Sequence, residues 1–327
     1  MKRIIYITDG NEQQGLGHIY QSKTFASYLK KESNDEVDIS FLTKSDESVI
    51  SLIVSDGFVV TKCDSDSEIF ECIKQKQPNI VIFDKIDVCP VLAKNIKEQI
   101  GCKLFIFTNL TSANNYADLY VMAAMGTHFK NVRIIENGKT ICLGPKYLVL
   151  REEFFNYPKR INTDEKLKNV LIQFGGADPA GLTFEAIKTL SKIKDPLNIY
   201  AVIGISNLQK REIEKFVYEN GLSERVNILS NVRNVAELMS KADLCLVSPG
   251  ISFFESLFMG VPVMCFYQNQ MQFDAWYEDV KLFSKNDLAN MKTLIENKCF
   301  ILPGSDLVKQ MDIAEGMSEL SEIIMNE

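Results

Sequence analysis

His18 is one of only two histidines in the chain, and it directly follows the glycine-rich segment TDGNEQQGLG. That segment lies between the apolar run RIIYIT and a pattern typical of a helix. Gly15 and Gly17 would let the backbone approach a ligand closely, and the free N–H groups of the helix start suit an anion or a sugar. A histidine at a helix start is predicted to be neutral near pH 7 and able to accept a proton. We therefore predict that His18 is a catalytic base, with a packing or capping histidine as the alternative.

The segment SPGISFFESLFMGVP, at 248–262, has a similar organisation. Ser248, Gly250 and Ser252 stand at the start of a predicted helix, where backbone amides suit a diphosphate. Glu255 follows one turn later, and its carboxylate can accept hydrogen bonds from both ribose hydroxyls. We predict a nucleotide site here; the alternative is a capped helix with a surface glutamate.

A third turn, QFGGADPAGLT at 173–183, again joins a predicted strand to a predicted helix. Gly175 and Gly176 expose amides, and Asp178 can fix the turn. We predict that these two glycines also contact the nucleotide, although the pattern by itself fits any glycine-rich turn. A complete G-x-G-x-x-G fingerprint, a Walker lysine motif and zinc-ligand spacing are all missing from the sequence. No cofactor and no metal are predicted.

Alternating strand and helix patterns must position these turns. Helices are predicted at 18–31, 48–55 and 67–75, and short apolar runs of Ile, Val and Phe separate them. The charged segment 151–169, which contains Pro158, resembles a linker, and the alternation then restarts. This predicts an α/β protein of two Rossmann-like domains with parallel sheets, at 1–155 and 166–327, and a ligand in the cleft between them. The last predicted helix, at 313–325, could pack back on the first domain.

Composition excludes several partners. The 43 acidic residues outnumber the 36 basic ones and give a net charge of −7, which disfavours nucleic acid. The eight cysteines form no C-x-x-C pair, which indicates small core residues in a reducing compartment. No run of eighteen apolar residues occurs, so no transmembrane segment is predicted, and the expected location is the cytoplasm. Nothing in the sequence indicates an oligomeric state.

Taken together, these segments resemble the UDP-sugar hydrolases of pseudaminic acid biosynthesis, called PseG, and their spore-coat relatives. The resemblance spans nearly the whole chain. It rests on GLGHIYQS, YLVLREEF at 147–154, FGGADPAGLT, GISFFESLFMGVP and the pair Asn269-Gln270. The second half is more distantly similar to MurG and other GT-B glycosyltransferases, with which it shares the E-x-x-x-x-G pattern from Glu255 to Gly260.

The resemblance implies a GT-B fold and a cytoplasmic enzyme that uses water to release UDP from an amino-deoxy sugar in surface glycan or nonulosonic acid biosynthesis. It implies His18 as the catalytic residue, Glu255 at the ribose and the glycine turns at the phosphates. Asn269 and Gln270 would contact the sugar, and so would Asp84.

The chain departs from the family at three places. Gln21 stands where the family often has an arginine, and Asp-Lys-Ile at 84–86 stands where it tends to show Asp-His-Tyr. Thr108-Asn109 replaces an acidic pair. We expect these positions to line the sugar side. Two alternatives therefore stay open: a metal-independent GT-B glycosyltransferase with an acceptor in place of water, and a nucleotide-sugar binding protein without catalysis.

Overall fold

Short parallel strands buried on both faces form the centre of each half of the chain. The computed structural model describes residues 1–11, 16–124, 128–160, 167–194, 197–204, 207–230, 232 and 234–327. The chain divides into two units: unit 1 comprises Met1–Leu150 with Met311–Glu327, and unit 2 comprises Arg151–Gln310. The predicted α/β class with two Rossmann-like parallel sheets is confirmed.

The sheet of unit 1 is parallel except at one edge. Its strands are β1 (Lys2–Thr8), β2 (Val37–Thr43), β3 (Val59–Lys62), β4 (Ile80–Asp84), β5 (Lys103–Phe107), β6 (Leu119–Met122), β7 (Val132–Glu136) and β8 (Lys139–Leu143). Their order across the sheet is β3-β2-β1-β4-β5-β6-β8-β7, and only the pairing of β7 with β8 is antiparallel among the described strands.

Four α-helices connect the described strands of this part of the chain, and side chains cap two of them. The four helices are α1 (Gly17–Glu32), α2 (Glu47–Val54), α3 (Asp66–Lys76) and α4 (Pro90–Asn95). The Asp46 side chain accepts a hydrogen bond from the amide of Val49 at the start of α2, and Ser65 accepts one from Glu68 at the start of α3. The predicted bounds of α1, α2 and α3 agree with the structure to within one residue.

Unit 2 repeats the same alternation. Its strands are β9 (Asn169–Gln173), β10 (Asn198–Ile203), β11 (Val226–Ser230), β12 (Leu244–Val247), β13 (Val263–Phe266) and β14 (Leu282–Phe283). Its helices are α5 (Leu182–Leu190), α6 (Lys210–Glu219), α7 (Val235–Lys241), α8 (Ile251–Phe258), α9 (Gln270–Trp276), α10 (Met291–Glu296) and α11 (Asp306–Lys309). The strand order is β11-β10-β9-β12-β13-β14, and all of these pairs are parallel.

The C-terminal helix α12 (Met317–Asn326) is part of unit 1. Glu319 on α12 forms ion pairs with Arg133 at 2.6 Å and Lys146 at 2.8 Å, and the Lys2 ammonium group donates to the carbonyl of Met325 at 2.7 Å. α12 starts four residues later than predicted, because residues 311–316 form a turn.

Burial on both faces explains why the central strands β1 and β9 are continuous apolar runs. Ile4, Ile5 and Ile7 of β1 are each at most 2% exposed, and Leu171 and Ile172 of β9 are fully buried. Helices on both faces of a parallel sheet cover the side chains of either orientation. Each such side chain contributes about 1.5 to 3 kcal/mol relative to an exposed position.

The order of the strands indicates where each unit can bind a ligand. β1 lies between β2 and β4, and β9 lies between β10 and β12, so the chain changes direction across the sheet at these two strands. In open α/β sheets, ligands bind beyond the carboxyl ends of the strands at such a switch point. A ligand is therefore expected to contact the residues that follow β1, β4, β9 and β12.

The β7–β8 hairpin was not predicted from the sequence. Asn137 and Gly138 connect the two strands, with φ values of 51° and 77°. Asn-Gly at a two-residue turn is a strong local signal for a hairpin, because both residues tolerate positive φ. The signal was present in the sequence and was missed.

Gly260, the last residue of the E-x-x-x-x-G pattern, is required by a close backbone approach. Its φ is 77°, and a Cβ atom added there would lie 2.4 Å from the carbonyl oxygen of Arg160. The amide of Arg160 also donates to the carbonyl of Met259 at 2.8 Å. The glycine therefore allows the segment before β9 to pack against the end of α8.

We expect Gly260→Ala to destabilise unit 2 more than Gly221→Ala. Both glycines have positive φ, so each alanine costs about 1 kcal/mol in backbone strain. A Cβ at Gly221 meets no atom within 4 Å, whereas the clash at Gly260 adds about 1 to 3 kcal/mol. Urea denaturation of both variants measures the difference. Equal free energies of unfolding would contradict the close approach.

Candidate functional site

His18 lies at the start of α1, where no side chain caps the helix. Leu16 is the N-cap residue and provides no side-chain hydrogen bond. A Cβ added at Gly17 would meet no atom within 4 Å, so nothing packs against this position. Gly15, predicted to contact the ligand, lies outside the described residues. The amides at the start of α1 and the His18 side chain share one end of the helix.

A buried carboxylate at the end of β4 holds the His18 ring. Nδ1 of His18 is 2.9 Å from Oδ1 of Asp84, and the Ser22 hydroxyl donates to Oδ2 of Asp84 at 3.0 Å. Asp84 is 2% exposed. An ionised carboxylate can only accept, so Nδ1 carries the proton and Nε2 of His18 is the basic nitrogen. Asp84, predicted to contact the sugar, is instead oriented towards His18 and Ser22.

The expectation that the helix start lowers the basicity of His18 is wrong. Burial lowers the pKa of His18, but the hydrogen bond and the negative charge of Asp84, together with the charge of Asp87, raise it by more, so the pKa lies above its ordinary value of 6.5. The helix dipole is a partial charge, whereas Asp84 is a full charge in direct contact with the ring. The dyad therefore makes His18 a stronger base, and the ring becomes protonated at a higher pH than an isolated histidine.

Next to the dyad, a second ion pair joins the ends of β1 and β4. The Lys85 ammonium group contacts Asp9 and also lies 3.2 Å from Asp87. Asp9 accepts a further hydrogen bond from the amide of Lys44 at 2.7 Å. Burial raises the pKa of Asp9, but Lys85 and Lys44 lower it by more. Asp9 is therefore a poor proton acceptor, and Lys85 is already neutralised by carboxylates.

In unit 2, a carboxylate from the preceding turn accepts hydrogen bonds from the first amides of α5. Asp178 accepts hydrogen bonds from the amides of Leu182 at 2.9 Å and Thr183 at 2.8 Å. The side chain is 5% exposed, and burial raises its pKa. A phosphate at these amides would have to displace a buried carboxylate. The start of α5 is thus closed to an anion.

The start of α8 differs, because no side chain caps it. Gly250 is the N-cap residue, with no side-chain hydrogen bond. Ser252 stands in the first turn, and Ser248 follows β12 two residues before Gly250. The amides of this turn can therefore donate hydrogen bonds to an anion, because no carboxylate cap occupies them. The three predicted residues Ser248, Gly250 and Ser252 all lie at this one helix start.

Glu255 is a buried carboxylate, not a surface glutamate. It is 5% exposed, and Oε1 lies 3.4 Å from Nη2 of Arg151. Arg151 also pairs with Glu153 at 3.2 Å, so it is shared between two carboxylates. Burial raises the pKa of Glu255, and Arg151 partly offsets this. The alternative of a capped helix with a surface glutamate is thereby excluded.

Two glutamines at the carboxyl ends of the strands were missed in the sequence. The Gln268 amide donates to the carbonyl of Phe174 at 2.6 Å and to the Ser248 hydroxyl at 3.1 Å. The Gln173 amide donates to the Ser252 hydroxyl at 2.9 Å. Within the described part of the chain, Oε1 of each glutamine is buried and has no hydrogen-bond partner. The available signal was their position, two residues after β13 for Gln268 and at the end of β9 for Gln173.

Asn269 and Gln270, predicted to contact the sugar, make local hydrogen bonds. Asn269 caps α9 by accepting from the amide of Gln272 at 2.9 Å. The Gln270 amide donates to Asp274 at 2.7 Å on the surface of the same helix. Both residues follow Gln268 in the sequence, but the hydrogen bonds described for them do not reach Ser248 or Glu255.

Gly175 and Gly176 form the turn after β9, close to a third glycine. Gly175 has a φ of 86°, and a Cβ at either position would meet no atom within 4 Å. A Cβ at Gly204, at the end of β10, would lie 2.2 Å from the carbonyl oxygen of Gly176. Gly204 was not singled out in the sequence, yet its lack of a side chain lets β10 end against this turn.

Over the ranges that the structure describes, no group of three or more His, Cys, Asp or Glu side chains has a geometry that could hold a metal ion. No helix among the described residues is both long and apolar enough to cross a membrane.

Two curated proteins are similar to this chain in sequence, whereas no family model matches it. Protein MJ1062 of Methanocaldococcus jannaschii is 37% identical over 331 residues, which cover 99% of this chain and 66% of MJ1062. The chain thus spans just under two thirds of that relative's length. SpsG of Bacillus subtilis, a spore coat polysaccharide biosynthesis protein, is 25% identical over 269 residues, covering 81% of this chain and 77% of SpsG.

Solved structures show the fold. MurG of Acinetobacter baumannii has a TM-score of 0.66 at 15% identity, with both chains covered completely. HepE of Anabaena, in complex with UDP-glucose, has a TM-score of 0.62 at 14% identity, again with complete coverage of both chains. The chain has the GT-B fold, as the sequence resemblance implied.

We expect the pKa of His18, measured by NMR titration, to lie above 6.5 and to fall in Asp84→Asn. The raised pKa depends on the charge of Asp84, so its removal leaves burial, which lowers the pKa. His128→Gln removes the other histidine signal and secures the assignment. An unchanged His18 titration in Asp84→Asn would contradict the role of this carboxylate.

Proposed function

We propose that the chain is a nucleotide-sugar hydrolase that releases UDP, with His18 as the general base. The pairing of His18 Nδ1 with the buried carboxylate of Asp84 carries this proposal, because it leaves Nε2 basic and fixes the ring. The uncapped start of α8 and the buried Glu255 support a nucleotide site. HepE, which shares the fold, is known in complex with UDP-glucose.

The reaction requires a proton acceptor and an electrophilic anomeric carbon. Nε2 of His18 takes a proton from water, and the water oxygen forms a bond to the anomeric carbon. The bond between that carbon and the phosphate oxygen breaks, and its electron pair leaves with UDP. Asp84 stabilises the imidazolium that forms. The products are the free sugar and UDP, and His18 returns its proton to solvent.

The nucleotide contacts follow from the charges in unit 2. The amides at the start of α8 would hold the diphosphate, because they carry partial positive charge and no side-chain cap. The turn at Gly175 and Gly176 would add further amides. Glu255 would accept hydrogen bonds from the ribose hydroxyls, which a carboxylate does with both oxygens. The amides of α5 would not contribute, because Asp178 occupies them.

The proposed sugar and pathway rest on similarity to other proteins. The resemblance to the pseudaminic acid hydrolases proposes an amino-deoxy sugar and a role in surface glycan or nonulosonic acid biosynthesis. SpsG, which is similar over most of this chain, is named for spore coat polysaccharide biosynthesis. These similarities support a role in polysaccharide biosynthesis.

A GT-B glycosyltransferase is the second candidate, favoured by the shared fold with MurG. The same dyad could deprotonate an acceptor hydroxyl instead of water. Incubation with UDP-, GDP- and CMP-sugars, without any acceptor, distinguishes the two. Rapid UDP release supports the hydrolase. Release that occurs only with an added acceptor supports the transferase. Binding without release under either condition would leave a nucleotide-sugar binding protein.

We expect His18→Ala to fold, to bind UDP with near wild-type affinity, and to turn over its UDP-sugar about a hundred- to ten-thousand-fold more slowly. That is the usual loss when a general base is removed. Calorimetry with UDP and a UDP-release assay measure the two properties. His128→Ala, which removes the other histidine, should retain turnover. Full activity in His18→Ala would make His18 a packing residue.

We expect Glu255→Gln to weaken UDP binding by about 1.5 to 3 kcal/mol, the usual value of hydrogen bonds to a charged group. Glu153→Gln is the matched control, because Glu153 also pairs with Arg151 but lies outside α8. Wild type should prefer UDP to 2′-deoxy-UDP, and Glu255→Gln should lose this preference. Equal affinity of wild type and Glu255→Gln for UDP would remove Glu255 from the site.

A further inference from the structure

Thr108 has a backbone conformation that a β-branched residue rarely adopts. It directly follows β5 and has a φ of 56°, in the left-handed region. Asn, Asp and Gly tolerate this region, whereas a second heavy atom on Cβ makes it a true outlier. Thr108 is the one β-branched residue with positive φ among those described. Such strain persists where the surrounding structure imposes it, and it is concentrated at functional sites.

The surroundings of Thr108 do impose its conformation. Its amide donates to the carbonyl of Val121 on β6 at 2.8 Å, and the amide of Leu110 donates to the carbonyl of Ile86 at 3.0 Å. Between them, Asn109 is fully buried and accepts a hydrogen bond from the amide of Val88 at 2.9 Å. Two hydrogen bonds thereby join the loop after β5 to the loop after β4, which begins directly after Asp84.

Asn109 itself cannot line a sugar site. Its amide donates to the carbonyl of Thr111 at 3.1 Å and to Oδ1 of Asn114 at 2.7 Å. All of these bonds lie inside the loop. Of the pair Thr108-Asn109, expected to face the sugar, the second residue is structural and the first is the one with a partly exposed side chain.

The side chain of Thr108 points to the helix that carries His18. Nε2 of Gln21 donates to Oγ1 of Thr108 over 3.4 Å, a long hydrogen bond. Gln21 lies three residues after His18, so both are on one face of α1. In the sheet, Asp84 is paired with Phe107, the residue before Thr108. The hydroxyl and the amide therefore lie beside the His18–Asp84 dyad.

From this geometry we propose that Gln21 and Thr108 form a subsite that binds a neutral hydroxyl or acylamino group of the sugar. The inference rests on the proposed function. An amide and a hydroxyl both donate and accept, which matches such a group, and neither carries a charge to pair with a charged one. The neighbouring lysines offer no cation to a sugar carboxylate, because Lys85 is paired with Asp9 and Asp87 and Lys44 with Asp66.

The first test uses Thr108→Gly to separate the backbone strain at this position from the proposed contact of its hydroxyl with the sugar. Glycine relieves the strain but removes the hydroxyl, so the Tm should rise while the sugar contact is lost. Gln77→Gly is the matched control: Gln77 has a φ of 45° at the exposed end of α3, before β4 begins. It should raise the Tm and leave UDP release unchanged. A fall in Tm for Thr108→Gly would overturn the argument from strain.

The second test measures the sugar contact without turnover. In a His18→Ala background, the affinity for UDP-N-acetylglucosamine relative to UDP reports what the sugar contributes. Thr108→Gly and Gln21→Ala should each lower this ratio about tenfold, the usual effect of losing a hydrogen bond, and leave UDP affinity unchanged. Thr108→Ser, which keeps the hydroxyl, should recover most of the ratio lost in Thr108→Gly. UDP-glucuronic acid should bind more weakly than UDP-N-acetylglucosamine.

Two outcomes would overturn the subsite. One is an unchanged affinity ratio in both Thr108→Gly and Gln21→Ala. The other is tighter binding of the glucuronic acid than of the N-acetylglucosamine derivative. Failure of the proposed function gives a different result, because wild type would then release no UDP from any sugar nucleotide, whatever the binding ratios show.

Discussion

The buried carboxylate of Asp84 determines how α1 sits on the sheet of unit 1. A charge that is 2% exposed is costly unless it is hydrogen-bonded, and Asp84 receives its two side-chain hydrogen bonds from His18 and Ser22. These donors are four residues apart, on one face of α1. Because Asp84 is also paired in register with Thr8 of β1 and Phe107 of β5, the same contact fixes helix and strands together. The basicity of His18 is a consequence of this arrangement.

The two glycine-rich turns of unit 2 look alike in sequence but differ in electrostatics. At α5 the chain supplies its own anion, Asp178, and satisfies the helix amides internally. At α8 the N-cap is Gly250, so the amides keep their partial positive charge for a ligand. Glu255 one turn later is buried beside Arg151 and not exposed beside the amides. A difference of one carboxylate thus decides which turn suits a phosphate.

Rigid loops hold the polar groups of unit 1. Oδ1 of Asn109 joins the loop after β5 to the loop after β4, and its amide group bonds within its own loop. Thr108, the residue before it, has a strained backbone next to Gln21. A mobile loop would relax Thr108 to negative φ and turn its hydroxyl away. The ion pair of Lys85 with Asp9 has a similar effect at the ends of β4 and β1, and it prevents either group from acting as a free charge.

The sequence by itself determined the fold class and most helix bounds, and it led to the prediction of His18, Gly250 and Glu255 as site residues. These follow from local patterns: apolar runs of strand length, helical periodicity, and glycines at helix starts. It did not reveal that Asp84, 66 residues away, is the partner of His18. Nor did it reveal that Gln173 binds Ser252 at the start of α8, or that Gln268 binds Ser248 after β12.

Those contacts depend on which strands are neighbours. The order of strands is set by packing between segments far apart in the chain, and the sequence contains no local signal for it. The same reason explains the error about the pKa of His18. The helix dipole could be inferred from adjacent residues and favours a neutral ring, whereas the stronger charge of Asp84 reaches the ring only because β4 lies next to β1.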